Sequence, residues 1–470
     1  MPDRNHDTRP ARVDVPPEAR GLALAFAQRG EHLTLVGGAV RDLLLGAPPS
    51  ELDFATSALP NVTASILNTS VEGSIYRVGE KYGTIGIQTP TLAYEITTYR
   101  SGEEYSAGSR KPSVRFGVSI EEDLSRRDFT VNAIAIDPAT GLILDPFNGR
   151  GDMKTRTIRA VGDPDSRFRE DPLRLLRAVR FAQRMNFEID PETWTVICHG
   201  AGAIQSISRE RVRDEYSKIL TGSSAVRGLT LLRNSGLLSA ATPALYELLQ
   251  MPDHGPHHPL SLWDHTMRVV DGVPNDLAVR WAALLHDIAK PRTRVDEVEG
   301  RVRFHQHAEI GAAMAAEVLR DLRYPNTFVE DVALLVQIHM HIHAYSRDWS
   351  DGAVRRLILK LGERCAAALA LVRADAKGHS DDGTSMNGAK FDELETRITA
   401  LSEETSKYSS PLTGNDLMQR YQRPAGSWIG TVKQRLLDEV VEGQLRPDDV
   451  EGAWTIVHEM LGTPESLHES

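Results

Sequence analysis

The chain has 470 residues, with 54 Lys and Arg against 65 Asp and Glu and a formal net charge of −11. Hydrophobic residues make up 41% and charged residues 25%, the balance of a globular protein of roughly three domains. Two cysteines, Cys198 and Cys365, exclude a disulfide framework and a cysteine-rich zinc module. No run reaches the ~18 consecutive apolar residues of a membrane span, and the acidic balance speaks against a protein that simply coats nucleic acid. Residues 1–20 are polar and rich in Pro and Arg, without an apolar stretch. They are expected to form a disordered leader and no signal peptide, which places the chain in the cytoplasm.

Residues 21–155 alternate short apolar runs with turn signals. Leu33 to Val36 reads as a strand ending in Gly37-Gly38, and Ala39 to Leu45 as a helix. Thr84–Gln88, Tyr94–Tyr99 and Ser113–Val118 alternate like further strands. A strand that ends in paired glycines before a helix lets backbone N–H groups approach a phosphate closely. Glu51 and Asp53 stand two apart on a strand and share a face. Carboxylates so placed repel each other unless cations lie between them. Glu95, in a second apolar strand, offers a third, and three carboxylates suit a two-Mg²⁺ phosphoryl-transfer centre. Arg126 and Arg127, beside Asp128 and Asn132, can grip a polyphosphate, because guanidinium forks match phosphate oxygens. Farther on, Asp171, Arg174 and Arg177 recur every third residue and are expected on one face of a helix spanning Asp171 to Met185.

Four motifs occur in this order: Gly37-Gly38-Ala39-Val40-Arg41-Asp42, Asp53-Phe54-Ala55-Thr56, Arg126-Arg127-Asp128-Phe129-Thr130-Val131-Asn132-Ala133 and Glu170-Asp171-Pro172-Leu173-Arg174-Leu175-Leu176-Arg177. Together they resemble the class II CCA-adding tRNA nucleotidyltransferase and bacterial poly(A) polymerase family. The resemblance implies an α+β nucleotidyltransferase palm, a mixed sheet with helices, followed by all-α neck, HD and tail domains. It implies that Gly37, Gly38 and Arg41 line a triphosphate pocket, that Glu51 and Asp53 hold Mg²⁺ with Glu95 as third carboxylate, and that Arg126 and Arg127 contact the triphosphate. It also implies that Asp171 and Arg174 read the base edge. The partners it implies are CTP, ATP and a tRNA 3′ end. This sequence departs from the family's paired aspartates at Glu51, whose side chain is one methylene longer. The polar segment Arg100–Lys111 resembles the family's flexible loop, which favours addition of the terminal A.

After about residue 156 helical spacing takes over, with Arg209–Leu220 and Ala225–Asn234 as further helices and breaks at Pro252–Pro259 and Gly378–Gly388. Eight basic residues between Lys154 and Arg180, with Arg209, Arg211, Arg213 and Lys218 beyond them, form a stripe suited to RNA phosphates. Ten of the sixteen histidines fall between His254 and His343. His265, the adjacent His286-Asp287 and Asp375 resemble the ligand pattern of HD metal-dependent phosphohydrolases. Imidazole and carboxylate ligands from separate helices suit a divalent transition metal or Mg²⁺ on these four, while His307 and His339 offer a second ion position or a phosphate contact. Near the end, the Gly414 turn opens another helix. The expected organisation is leader 1–20, head 21–155, neck 156–240, HD domain 241–380 and helical tail 381–470. The expected function is template-independent addition of CMP and AMP to tRNA ends, with poly(A) polymerase, or an HD phosphohydrolase with an impaired head, as alternatives.

Overall fold

The structure is a computed structural model that describes residues 13–49, 51–77, 79–100, 116–251, 260–296, 302–378 and 388–463. Two compact units divide the chain after Ala241. In the first, seven strands form one mixed sheet: β1 Leu33–Val36, β2 Leu52–Thr56, β3 Ser74–Tyr76, β4 Thr84–Gln88, β5 Ala93–Thr98, β6 Ala135–Ile136 and β7 Ile143–Leu144. Their order is β3-β4-β5-β2-β1-β6-β7. Within the described part of this sheet β2 and β5 alone pair in parallel, which places Asp53 opposite Glu95. Leu52 and Phe54 on β2, Ile96 on β5 and Ile85 and Ile87 on β4 are fully buried, so the apolar alternation read from the sequence faces a core. The strands read at Leu33–Val36 and Thr84–Gln88 form as expected, and β5 lies one residue earlier than predicted. The first three residues of the strand expected at Ser113–Val118, and the Arg100–Lys111 loop after its first residue, lie outside the described residues, while the strand's second half forms no strand beyond an isolated bridge of Phe116 to Arg100.

The end of the expected disordered leader is folded. A helix spans Pro17–Ala27, opened by a proline in its first turn, and Val15 and Ala19 are buried. The remainder of this unit is helical apart from a two-stranded parallel ribbon, Thr157–Ile158 with Glu188–Ile189. Helices cover Leu173–Met185, Arg209–Leu220 and Ala225–Asn234. The helix expected from Asp171 starts two residues later. Pro172 disfavours the helical region for the residue before it, and Asp171 is extended at φ −148, between helix Pro164–Glu170 and helix Leu173–Met185.

The second unit is a helical assembly with one antiparallel ribbon, Arg294–Asp296 with Val302–Phe304. Helices Leu262–Gly272, Leu277–Leu285, His307–Asp321, Asn326–His343 and Cys365–Gly378 pack against one another. Trp281 is fully buried among them and donates its indole N–H to Tyr324 at 2.9 Å. The expected breaks at Pro252–Pro259 and between Gly378 and Gly388 lie outside the described residues. Farther on, Leu417, Val432, Leu436, Ala453 and Val457 form a separate small core. The Gly414 turn does open a helix, Gly414–Tyr421, with Thr413 and Asp416 capping each other reciprocally.

Candidate active site and metal centre

Strand β1 ends at Val36, and the chain turns into helix Gly37–Leu44 through Gly37 at φ +68. A Cβ there would be strained and would lie 3.2 Å from Arg127 Nη1 and 3.4 Å from Asp53 Oδ2. Glycine therefore lets the helix start beside both groups. No side chain caps that helix, so its first N–H groups remain available to an anion. Gly37, Gly38, Arg41, Glu51, Asp53, Arg126, Arg127, Asp128, Asn132, Asp171, Arg174 and Arg177 all line one cavity of about 520 Å³. Glu95 does not line it. It stands beside Asp53 in register and receives Tyr76 Oη at 3.5 Å.

Burial, then Glu95, pushes the Asp53 carboxyl up from 3.8 to about 6, against the opposing pull of Arg127. Carboxylates crowded this way fit a hard divalent cation, whose charge would relieve their repulsion. The cations of the cavity are built in layers. Buried Asp123 accepts from Arg126 at 2.8 Å and Arg127 at 3.3 Å, while the buried Arg127 Nε has no partner among the described residues. Arg41 Nη1 donates to Asn132 Oδ1 at 2.9 Å, Asn132 donates to Asp128 at 3.0 Å, and Arg177 Nε donates to Asp128 at 2.8 Å. Burial alone would raise the Asp128 carboxyl, but Arg177 and the donated hydrogen bonds hold it below its usual range.

Arg174 is fixed at three points, by Glu170 at 2.8 Å and by the backbone oxygens of Arg167 and Arg126, each at 2.9 Å. Asp171 does not share a helical face with it, yet both border the same cavity. Sequence reasoning left Leu173, Arg180, Phe181, Arg184 and Arg211 out of this site. Phe181 lies four residues after Arg177 on one helix, a spacing that would have found it. Its ring is flanked by the guanidiniums of Arg41, Arg177 and Arg180 at 5.4, 5.4 and 4.2 Å. Much of the basic stripe is internally paired, with Arg159 on Asp152 and Asp190, Arg167 on Glu170 and Arg180 on Glu215.

In the second unit, His265, His286 and Asp375 bring ligand atoms within 4.8 Å of one another, and Asp287, His307 and His339 form a second such buried group. Asp287 also lies 3.0 Å from His286 Nε2. His286, His307 and His339 each place Nδ1 within 3.1 Å of a backbone carbonyl three residues earlier, namely Ala283, Phe304 and Val336. Because a carbonyl only accepts, Nδ1 carries the proton and Nε2 is left to face inward. The buried Nε2 atoms of His307 and His339 have no hydrogen-bond partner among the described residues. Burial pushes His339 down to about 4, which keeps it a neutral imidazole near pH 7. Burial would raise Asp287, yet His286 and Lys290 pull it well below the usual range. Gly378 makes room for His265, whose Nδ1 would lie 3.0 Å from an added Cβ. The nitrogen and oxygen donor set fits a divalent transition metal.

A glycine turn, strand carboxylates and guanidiniums converging on one cavity of a mixed sheet define a nucleotidyltransferase head, here in a chain that also carries a histidine-rich helical unit. Residues 33–159 match the poly A polymerase head domain, 186–249 a probable RNA- and SrmB-binding site of polymerase A, and 257–377 the HD domain. The CCA-adding enzyme of Geobacillus sp. (strain WCH70) is 31% identical over 428 residues, 91% of this chain and 93% of that relative. The CCA-adding enzyme of Geobacillus stearothermophilus is 45% identical over 228 residues, 48% of this chain, and the match spans only 55% of that relative's length. A crystal structure of the Bacillus stearothermophilus CCA-adding enzyme in complex with CTP is 30% identical, with a TM-score of 0.65 over 95% of this chain and 98% of that one. The chain belongs to the CCA-adding enzyme family. Divalent-metal dependence follows for the family, and no helix among the described residues is long and apolar enough to cross a membrane.

Proposed function

We propose that the chain adds CMP and AMP to tRNA 3′ ends without a template and releases pyrophosphate. The observation that carries this reading is the single cavity shared by Gly37, Asp53, Arg127, Asp171 and Arg174. The RNA 3′-hydroxyl attacks the α-phosphate of CTP or ATP. The Gly37 helix terminus with Arg41, Arg126 and Arg127 holds the triphosphate in line. Glu51 and Asp53, with Glu95 beside them, would hold Mg²⁺, which when bound supplies a deprotonated hydroxyl and offsets charge on the phosphates. Asp171 accepts from the exocyclic amino group and Arg174 donates to the adjacent ring nitrogen, an edge common to C and A and absent from G and U. In the second unit, His265, His286, Asp287 and Asp375 would hold a transition metal, joined by His307 and His339, for hydrolysis of phosphate esters.

Asp53→Ala should abolish incorporation of CMP and AMP while tRNA binding, measured by gel shift, stays near native. Undiminished incorporation would sink the assignment. Glu51→Asp should retain activity and Glu51→Ala should lose it. An inactive native chain revived by Glu51→Asp would instead favour an HD phosphohydrolase with an impaired head. Product length on a tRNA lacking CCA separates the remaining alternative: a stop after three nucleotides excludes a poly(A) polymerase.

A further inference from the structure

Arg211 reaches the cavity from helix Arg209–Leu220, and the reaction sketched above gives it nothing to do. Its Nη2 donates to Asp171 Oδ2 at 2.7 Å. The other carboxylate oxygen, Oδ1, accepts the Leu173 backbone N–H at 3.2 Å. Asp171 is therefore gripped from both sides by donors. The grip matters because Asp171 sits in the extended link between two helices, with side-chain exposure of 25%. Arg209 and Arg213, the neighbouring arginines, donate elsewhere, to the Ala241 carbonyl and to Asp214.

We propose that Arg211 is a specificity-determining positioning residue, which fixes the Asp171 carboxylate so that its remaining lone pairs face an exocyclic amino group in the cavity. The proposal rests on the base-reading role assigned to Asp171. Cytosine presents an amino donor where uracil presents a carbonyl acceptor. A carboxylate clamped by donors meets the cytosine amino group along a fixed line and meets the uracil oxygen with repulsion. A carboxylate released from Arg211 can rotate away from uracil, and the penalty against the wrong base shrinks. Arg211 thus acts on selection through Asp171, without touching the nucleotide.

The test is the ratio of kcat/KM for CTP over UTP on a tRNA lacking CCA, measured with the full chain and with Arg211→Ala, Arg211→Lys and Asp171→Ala. The expected result is a fall in this ratio of about tenfold in Arg211→Ala, the size of one charge-assisted hydrogen bond. KM for tRNA should remain native and Arg211→Lys should recover part of the ratio. Binding of CTP and UTP by calorimetry gives the same comparison if turnover is too slow. A native ratio in Arg211→Ala, with the ratio lost in Asp171→Ala, overturns the role of Arg211 and leaves base reading in place. A native ratio in Asp171→Ala overturns base reading and this inference with it. If Arg211→Ala raises only KM for tRNA, with a weaker salt dependence, Arg211 is a phosphate contact and the inference also fails.

Discussion

At the scale of single residues, charges at this site are held by other charges, so removing one exposes the next. Asp128 is buried and receives Arg177, Asn132 and the Phe129 N–H. Asp128→Ala would leave the Arg177 guanidinium without its acceptor. The expected loss is about 2–3 kcal/mol, below the usual range for a broken buried pair because the Arg177 side chain is 35% exposed. Denaturant unfolding measures it. The pH dependence has a definite sign. A carboxyl held below its ordinary 3.8 contributes stability that is present above that value and lost as pH falls through its lower folded value. The Asp128→Ala variant should therefore lose less stability than the native chain on acidification below about pH 4. Gly37→Ala is a second case, in which the left-handed backbone and the 3.2 Å approach to Arg127 Nη1 act together. A cost of about 1–2 kcal/mol is expected. CTP binding by calorimetry should weaken at the same time, since the turn and the arginine move together.

Among the elements, those that depend on local chemistry were legible and those that depend on long-range pairing were not. The helices Arg209–Leu220 and Ala225–Asn234 carry their apolar period openly and form where the sequence places them. The parallel pairing that sets Asp53 opposite Glu95 joins segments 42 residues apart, and nothing in either strand's own pattern specifies its partner. Asp171 was placed on a helix because its spacing to Arg174 and Arg177 fits 3.6 residues per turn, but Pro172 outweighs the period. The cavity-lining set was nearly complete from motifs, whereas Arg211 required the neck helix to fold back onto the head. The histidine-bearing helices give a prediction of their own. The buried Nε2 atoms of His307 and His339 find no hydrogen-bond partner among the described residues, a donor pair a divalent metal would satisfy, so dialysis against a chelator should lower the melting temperature. Transition metal, counted per chain by elemental analysis, should fall in His286→Ala. An unchanged metal content in that variant would show that the ion binds elsewhere.

The whole molecule divides after Ala241, with the residues of the proposed nucleotide cavity in one unit and the candidate metal-ligand histidines in the other. Calorimetry should therefore depart from two-state unfolding, with CTP raising one transition and chelation lowering the other. At a hundredfold excess over its dissociation constant, CTP should stabilise its own unit by about 2.7 kcal/mol. Both ligands moving one common transition would contradict independent units. The strand order has a kinetic consequence as well. β2 is the middle strand of seven and β5 adjoins it, while the outer strands β3 and β7 have only three and two residues. Sheets fray from their margins, and hydrogen exchange follows the fraying. Amide protons around Asp53 and Ile96 should be among the last in the chain to exchange. The carboxylate strands thus keep their spacing through openings that peel the margins away, and they give it up only when the unit itself unfolds.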